Sequence, residues 1–230
     1  SGKVSLERLC HGELTPAMTG EGDLKRLIDL IIRGGWPASI GMPAAQAALL
    51  PEEYLNAVID DDVYRMDSIR RNTIKMRLLL RSLARNESTT ATNKRLKNDI
   101  REVDDEDIDV ETVKEYLDIL ERLFIIENQP PFSAGMRVKQ AVKRHFCDPS
   151  LACSLLKATP ASLLGDLETL GFLFEALCER DLRIYAESFG AALYHYQDYR
   201  NREIDAVVEL SDGRWCAFEI KLGANQIDAA

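Results

Sequence analysis

The sequence has no apolar run approaching the roughly 20 residues needed to cross a bilayer, and Ser1 to Leu9 lacks the charged and apolar regions of a secretory signal. No membrane partner is expected, and a cytoplasmic location is. Cysteine is sparse and scattered: Cys10, Cys147, Cys153, Cys178 and Cys216 are odd in number and form no C-x-x-C pair. That argues against a disulfide framework and against a zinc site, and the five read as buried apolar residues. Histidine is rarer still. His11, His145 and His195 stand in no nucleophile pattern, so histidine catalysis is not expected, and His195, between two tyrosines, reads as a packed or edge residue. Internal repeats and low-complexity tracts are also lacking.

What is present suits two domains. A chain of 230 residues with 46% hydrophobic content can bury one large core or two modest ones. A net charge of -9 repels nucleic acid on average, but the distribution is uneven. From Arg65 to Arg101 eleven basic residues face only Asp67, Glu87 and Asp99, whereas from Glu102 to Glu121 ten acids face Lys114 alone. Such a dipole would serve a nucleic-acid face beside a protein face; the plainer reading is a helix pair in mutual attraction, and paired halves between subunits would give an oligomer.

Leu24, Leu27, Ile28 and Ile31 predict a helix over 23–33, stopped at Gly34-Gly35-Trp36-Pro37. Pro51 opens another that reaches toward Tyr64. The pattern then predicts helices over 69–84, 92–100 and 109–124 and an extended return over 125–132. That order suggests a winged helix spanning 65–158, with 1–64 as a helical linker before it. The outer side of the 109–124 helix carries Glu111, Glu115, Asp118 and Glu121, which phosphates would repel, so it is not expected in a groove. The returning wing carries Arg137, Lys139, Lys143 and Arg144, which are the candidate nucleic-acid contacts. Solvated strand edges use the same residues.

A boundary is expected near 158–165, where Thr159-Pro160-Ala161-Ser162 interrupts the pattern. Beyond it come a helix over 163–182 and strands over 192–197, 203–210 and 215–222. Glu175 is the only charge between Leu170 and Cys178, and a lone carboxylate on an apolar helix needs a partner, a cation or water. In the hairpin that follows, a two-residue turn at Asp212-Gly213 would send Asp205 and Glu219 to opposite faces. A three-residue loop over 211–213, with Gly213 left-handed, pairs them instead, and this is the predicted register. Ile204, Ala206, Val208, Cys216, Phe218 and Ile220 then share the buried face, and Asp205, Glu219 and Lys221 converge on the other. Oxygen ligands of this kind suit magnesium or manganese, and the lysine would orient a water attacking phosphorus.

Gly171-Phe172-Leu173-Phe174-Glu175, Glu203-Ile204-Asp205 and Phe218-Glu219-Ile220-Lys221 resemble the C-terminal domain of unknown function attached to many prokaryotic AAA-type ATPases, whose end looks like a PD-(D/E)xK nuclease. Similar too are Arg33 to Pro37, the stretch T-V-K-E-Y-L-D-I-L-E-R-L-F-I-I from Thr112 to Ile126, and Phe146 to Leu151. The resemblance implies an α+β chain: a mainly helical winged-helix-like part, then a restriction-endonuclease-like α/β domain over 159–230. That fold usually continues past the lysine strand into a further helix and strand. It also implies an upstream ATPase module as partner, with DNA as a second. No G-x-x-x-x-G-K-[S/T] occurs here, so ATP would enter only through that module. Carried over, Glu175 is the first-helix acid, and Asp205 and Glu219, with the Ile220 carbonyl, hold Mg2+ or Mn2+. Lys221 is the motif lysine, and Ile204 replaces its proline. The implied activity is metal-dependent phosphodiester hydrolysis; the alternative is a non-catalytic DNA- or protein-binding regulatory module.

Overall fold

The structure, a computed structural model, describes residues 4–13, 23–62, 72–133, 135 and 141–223. Helix α1 (Leu6–Cys10) is capped by Ser5, and α2 (Leu24–Arg33) by Asp23, whose side chain accepts from the Lys25 and Arg26 amides. A 3-10 turn (Pro37–Ser39) leads to α3 (Ala44–Ala47) and α4 (Leu50–Ala57), which runs on as a π turn to Asp62. Next come α5 (Thr73–Arg85), α6 (Asn93–Asp104) and α7 (Val110–Arg122), then strands β1 (Ile126–Gln129) and β2 (Lys143–Phe146). The remainder is α8 (Pro149–Leu155), α9 (Pro160–Gly165), α10 (Leu167–Ser188), β3 (Ala192–Gln197), β4 (Glu203–Glu209) and β5 (Trp215–Phe218). Among the described residues the fold is mixed, with helix outweighing strand and two small antiparallel sheets, β1-β2 and β3-β4-β5.

Most of the core is one cluster. Ile28 and Ile31 of α2, Leu55 of α4, Met76 and Leu79 of α5, Leu96 of α6, Leu120 of α7, Leu151 of α8 and Leu170 of α10 all belong to it. The stretch expected as a linker therefore supplies core residues. A smaller cluster joins Cys10, Ala186, Ala191, Val208 and Leu210, so α10 spans both: its first half packs on the large core and its second half on the sheet.

Two corrections concern capping and cysteine. Thr159-Pro160-Ala161-Ser162 starts a helix instead of interrupting one: the Thr159 and Ser162 side chains each accept from the other's backbone amide, with proline at the first turn. Asp166 then caps α10 through the Thr169 amide at 3.0 Å, which splits the expected single helix. Cys10 and Cys216, read as unpaired, form a disulfide that ties α1 to β5. Pairing requires proximity in space, which a separation of 206 residues hides from sequence.

The loop after α2 is locked onto α8 and α10. Gly34 has φ +71, and a Cβ there would lie 2.3 Å from Ser150 Oγ and 2.6 Å from Asp148 Oδ1. The Gly35 amide donates to Asp148 Oδ2 at 2.9 Å, and Trp36 Nε1 donates to Ser150 Oγ at 2.8 Å. Arg180 donates to the same Asp148 oxygen at 2.6 Å. Gly34→Ala combines a left-handed backbone with a collision in a buried polar contact, so it should cost about 2–3 kcal/mol of unfolding free energy in a denaturant titration. A loss below ~0.5 kcal/mol would show that the loop yields.

Part of the charge dipole is satisfied internally. Arg85 donates to Asp99 and Asp104, each at 2.7 Å, Lys97 meets Asp107 at 3.4 Å and Arg81 meets Asp104 at 3.9 Å. Arg65, Arg70 and Arg71 lie outside the described residues.

Candidate active site

The hairpin adopts the three-residue loop. Leu210 N donates to Arg214 O at 2.7 Å, Gly213 has φ +82, and Val207 lies opposite Ala217 with Ala206 opposite Phe218. Extended by one step, this register would set Asp205 opposite Glu219, but the paired ladder stops at Ala206 and Phe218. The ladder ends at Phe218, earlier than the predicted Leu222, because the Ile220 amide turns to the Asp205 side chain: Ile220 N donates to Oδ2 at 2.7 Å. The same oxygen lies 3.7 Å from Lys221 Nζ, and Lys221 also pairs with Glu219. Partial burial works against the Lys221 charge, but the hydrogen bond to Glu219 and the fields of Asp205 and Glu219 raise its pKa above the ordinary lysine value. Asp205 is 6% exposed, while Glu219 and Lys221 keep about a third of their side-chain surface in solvent. On the opposite face Ala206 and Val208 are buried and Cys216 and Phe218 partly so.

Glu175 finds the partner that its setting demands, and that partner is Lys143. The ammonium lies between Glu175 and Glu179, donating to Glu179 Oε1 at 2.9 Å and pairing with Glu175. Lys143 was expected at a solvated wing; it is instead 7% exposed and turned inward. Arg144, its neighbour, is also engaged, donating to the Ala91 carbonyl and to Asn93 Oδ1 at 3.3 Å. Neither side chain is free for phosphate, and Arg137 and Lys139 lie outside the described residues.

Beyond Glu179 the polar network continues. Gln129 Nε2 donates to the carbonyls of Tyr194 at 2.8 Å and Asp205 at 3.3 Å, so its Oε1 must accept from His145 Nε2 at 2.8 Å. The proton of His145 thus sits on Nε2 and points at Gln129. Glu179 Oε2, although 3.0 Å from that nitrogen, is left without a donor. Burial, reinforced by Lys143 and His195, keeps His145 neutral with a pKa well below the usual histidine range. Burial pushes Glu179 up to about 8, against the lowering field of Lys143, and raises Glu87 well above the usual carboxylate value. Glu175 is raised for the same reason, with Lys143 opposing and Asp205 adding to the effect. His195 is 3% exposed, held in the strand and donating from Nε2 to the Ala141 carbonyl at 2.9 Å.

Glu175, Asp205, Lys143, His195 and Glu203 line a common cavity of about 150 Å³. Sequence reasoning missed Glu179, Gln129 and Glu87. A signal existed for the first: Glu179 stands one helical turn after Glu175 and therefore on the same face. Among the described residues no three His, Cys, Asp or Glu side chains gather closely enough to hold a metal ion by themselves. At the hairpin, Asp205 and Glu219 offer carboxylate oxygens, the donor chemistry that suits a hard cation keeping several waters, and both already contact Lys221.

Residues 24–162 match the family model described as Domain of unknown function (DUF8612), and residues 170–230 match that described as Domain of unknown function (DUF4143). No curated protein and no solved structure matches the chain. No helix among the described residues is long and apolar enough to cross a membrane.

Proposed function

The chain belongs to the DUF8612 family, whose model covers more than half of it, and from that premise, with a DUF4143 region following, we propose a metal-dependent phosphodiester hydrolase acting on nucleic acid. DUF4143 is commonly a C-terminal region of AAA ATPases, which supports an ATPase module of the same protein as partner. One observation carries the reading: Lys221 Nζ lies 3.7 Å from Asp205 and pairs with Glu219, and Asp205 shares a cavity with Glu175. Asp205, Glu219 and the Ile220 carbonyl would hold Mg2+ or Mn2+. The ion would supply charge stabilisation at phosphorus. Lys221, kept protonated by the two acids, orients the attacking water, and Glu175 completes the acidic wall of the cavity.

Two architectural readings accompany this proposal. Helices α5 to α7, the β1-β2 hairpin and the Thr89 to Arg144 bridge beside it follow the order of a winged helix. Helix α10 followed by β3-β4-β5 follows the start of a PD-(D/E)xK nuclease. The exposed acids of α7 keep that helix out of a groove, so any nucleic-acid contact lies elsewhere.

Saturable heat on Mn2+ titration is the expected result, abolished by Asp205→Asn, which keeps an acceptor for the Ile220 amide but removes the charge. No heat from the unaltered chain rejects the hydrolase. The second reading, a regulatory module without catalysis, is favoured by one feature: Glu175, Asp205 and Glu219 are each already paired with a lysine, Lys143 or Lys221. It requires no metal binding and no metal-dependent cleavage.

A further inference from the structure

Against β1, β2 and α10 lies a second cavity, of about 410 Å³, with no lining residue in common with the one that Asp205 and Glu175 line. Its size is that of a small-molecule site, which commonly spans about 300–1,000 Å³. Phe124, Ala176, Ala191 and Leu193 give it apolar walls. Its charged residues are Glu121, Glu127, Glu179 and Glu187 against Arg180 and Arg183. Both arginines are committed: Arg180 to Asp148 at 2.6 Å and to Asp181 at 2.7 Å, Arg183 to Glu127. An anionic ligand would therefore meet no free cation, whereas a cationic one enters a negative field.

Glu179 marks the seat of such a ligand. Its side chain is 2% exposed. Oε1 accepts from Lys143, which lies outside this lining, and Oε2 is 3.0 Å from Nε2 of His145, which lies within it. Oε2 has no donor, because His145 directs its hydrogen to Gln129. The charges that face Glu179 are Lys143 from β2, Glu175 on its own helix and Asp205 from β4, while burial favours the neutral forms of Glu87 and His145 beside it. One ammonium thus stands against two carboxyl groups of α10, and near neutral pH a proton on Glu179 makes up the missing positive charge. We infer that this cavity binds an organic ammonium, a primary amine on a compact apolar body, which donates to Glu179 Oε2 and balances the carboxylate. Binding then releases one proton: the ammonium and the carboxylic acid become an ammonium–carboxylate pair, and H+ goes to solvent. The site does not depend on the metal-dependent reading.

Calorimetry on the full chain tests this, with benzylamine and tryptamine as probes and benzyl alcohol and benzoate as neutral and anionic comparators. Saturable one-to-one binding of an amine is expected, about tenfold or more tighter at pH 8 than that of either comparator. Because a proton is displaced, amine affinity should rise about tenfold from pH 6 to pH 7 and level off above pH 8. The heat should vary with the buffer as the release of one proton requires. Glu179→Gln keeps an acceptor and resembles the protonated acid, so the fold tolerates it. It should weaken the amine about tenfold or more at pH 8 and abolish both the pH dependence and the proton release. Ala176→Leu, which narrows the same cavity without changing its charge, should weaken both amines as well. Failure of both amines to bind at millimolar concentration overturns the inference. So does benzoate binding as tightly as benzylamine, an amine affinity indifferent to pH, or unchanged binding in Glu179→Gln.

Discussion

Lys143→Ala is expected to lower the unfolding free energy by about 3–5 kcal/mol near pH 8, the size found when one partner of a buried ion pair is removed. The reason is the company that Lys143 leaves behind. Glu175 and Glu179 lie on one face of α10, with Asp205 adding negative field, and the nearby histidines are neutral and provide none of the missing charge. Acidity should soften the loss. Glu179 titrates at about 8 in the fold against an ordinary 4.5, so between those values the folded chain holds a proton that the unfolded chain has released. Stability must therefore fall as pH rises through that window. The unaltered protein should lose about 1–3 kcal/mol from pH 5 to pH 8, and Glu179→Gln should flatten the curve. Urea titrations at both pH values read all three proteins. A loss under ~1 kcal/mol for Lys143→Ala at pH 8 would mean that the triad is solvated and the buried charge cluster does not exist.

Local chemistry was the legible part of this chain. Leu24, Leu27, Ile28 and Ile31 mark α2 through their spacing, Asp23 caps it, and Gly34 stops it with a positive φ. The hairpin register was readable because only one loop length puts the apolar positions of both strands on one face. Glu175 announced a need for a partner, since an ionised carboxylate amid apolar residues is costly. The identity of that partner was not readable: Lys143 is 32 residues away, and a lysine at a strand edge looks alike in sequence whether it faces solvent or a buried acid. The same limit applied to Gln129 and Glu87, whose roles exist only once β1-β2 is docked on α10. Thr159-Pro160-Ala161-Ser162 was a different failure, because the residues that break a helix also begin one, and the capping box was in view.

Reduction of the Cys10–Cys216 bond should cost the oxidised protein up to about 5 kcal/mol, because it releases a cross-link between residues 206 apart. The effect should be local in structure as well as global in free energy. Helix α1 has five residues, too few to persist alone, and its other ties are the packing of Leu6 and Cys10 against the small cluster and the contact of Arg214 with His11 Nδ1 at 2.7 Å. In a reducing compartment, where such bonds rarely persist, those contacts alone would hold it. Melting with and without reductant should then differ by several degrees. Amide exchange should accelerate over residues 4–13 first and over β5 next, since Cys216 lies in the strand leading to Glu219 and Lys221. Cys10→Ser combined with Cys216→Ser should behave as the reduced protein under both conditions. Unchanged melting and unchanged protection of α1 after reduction would show that packing, not the covalent tie, fixes the helix against the sheet.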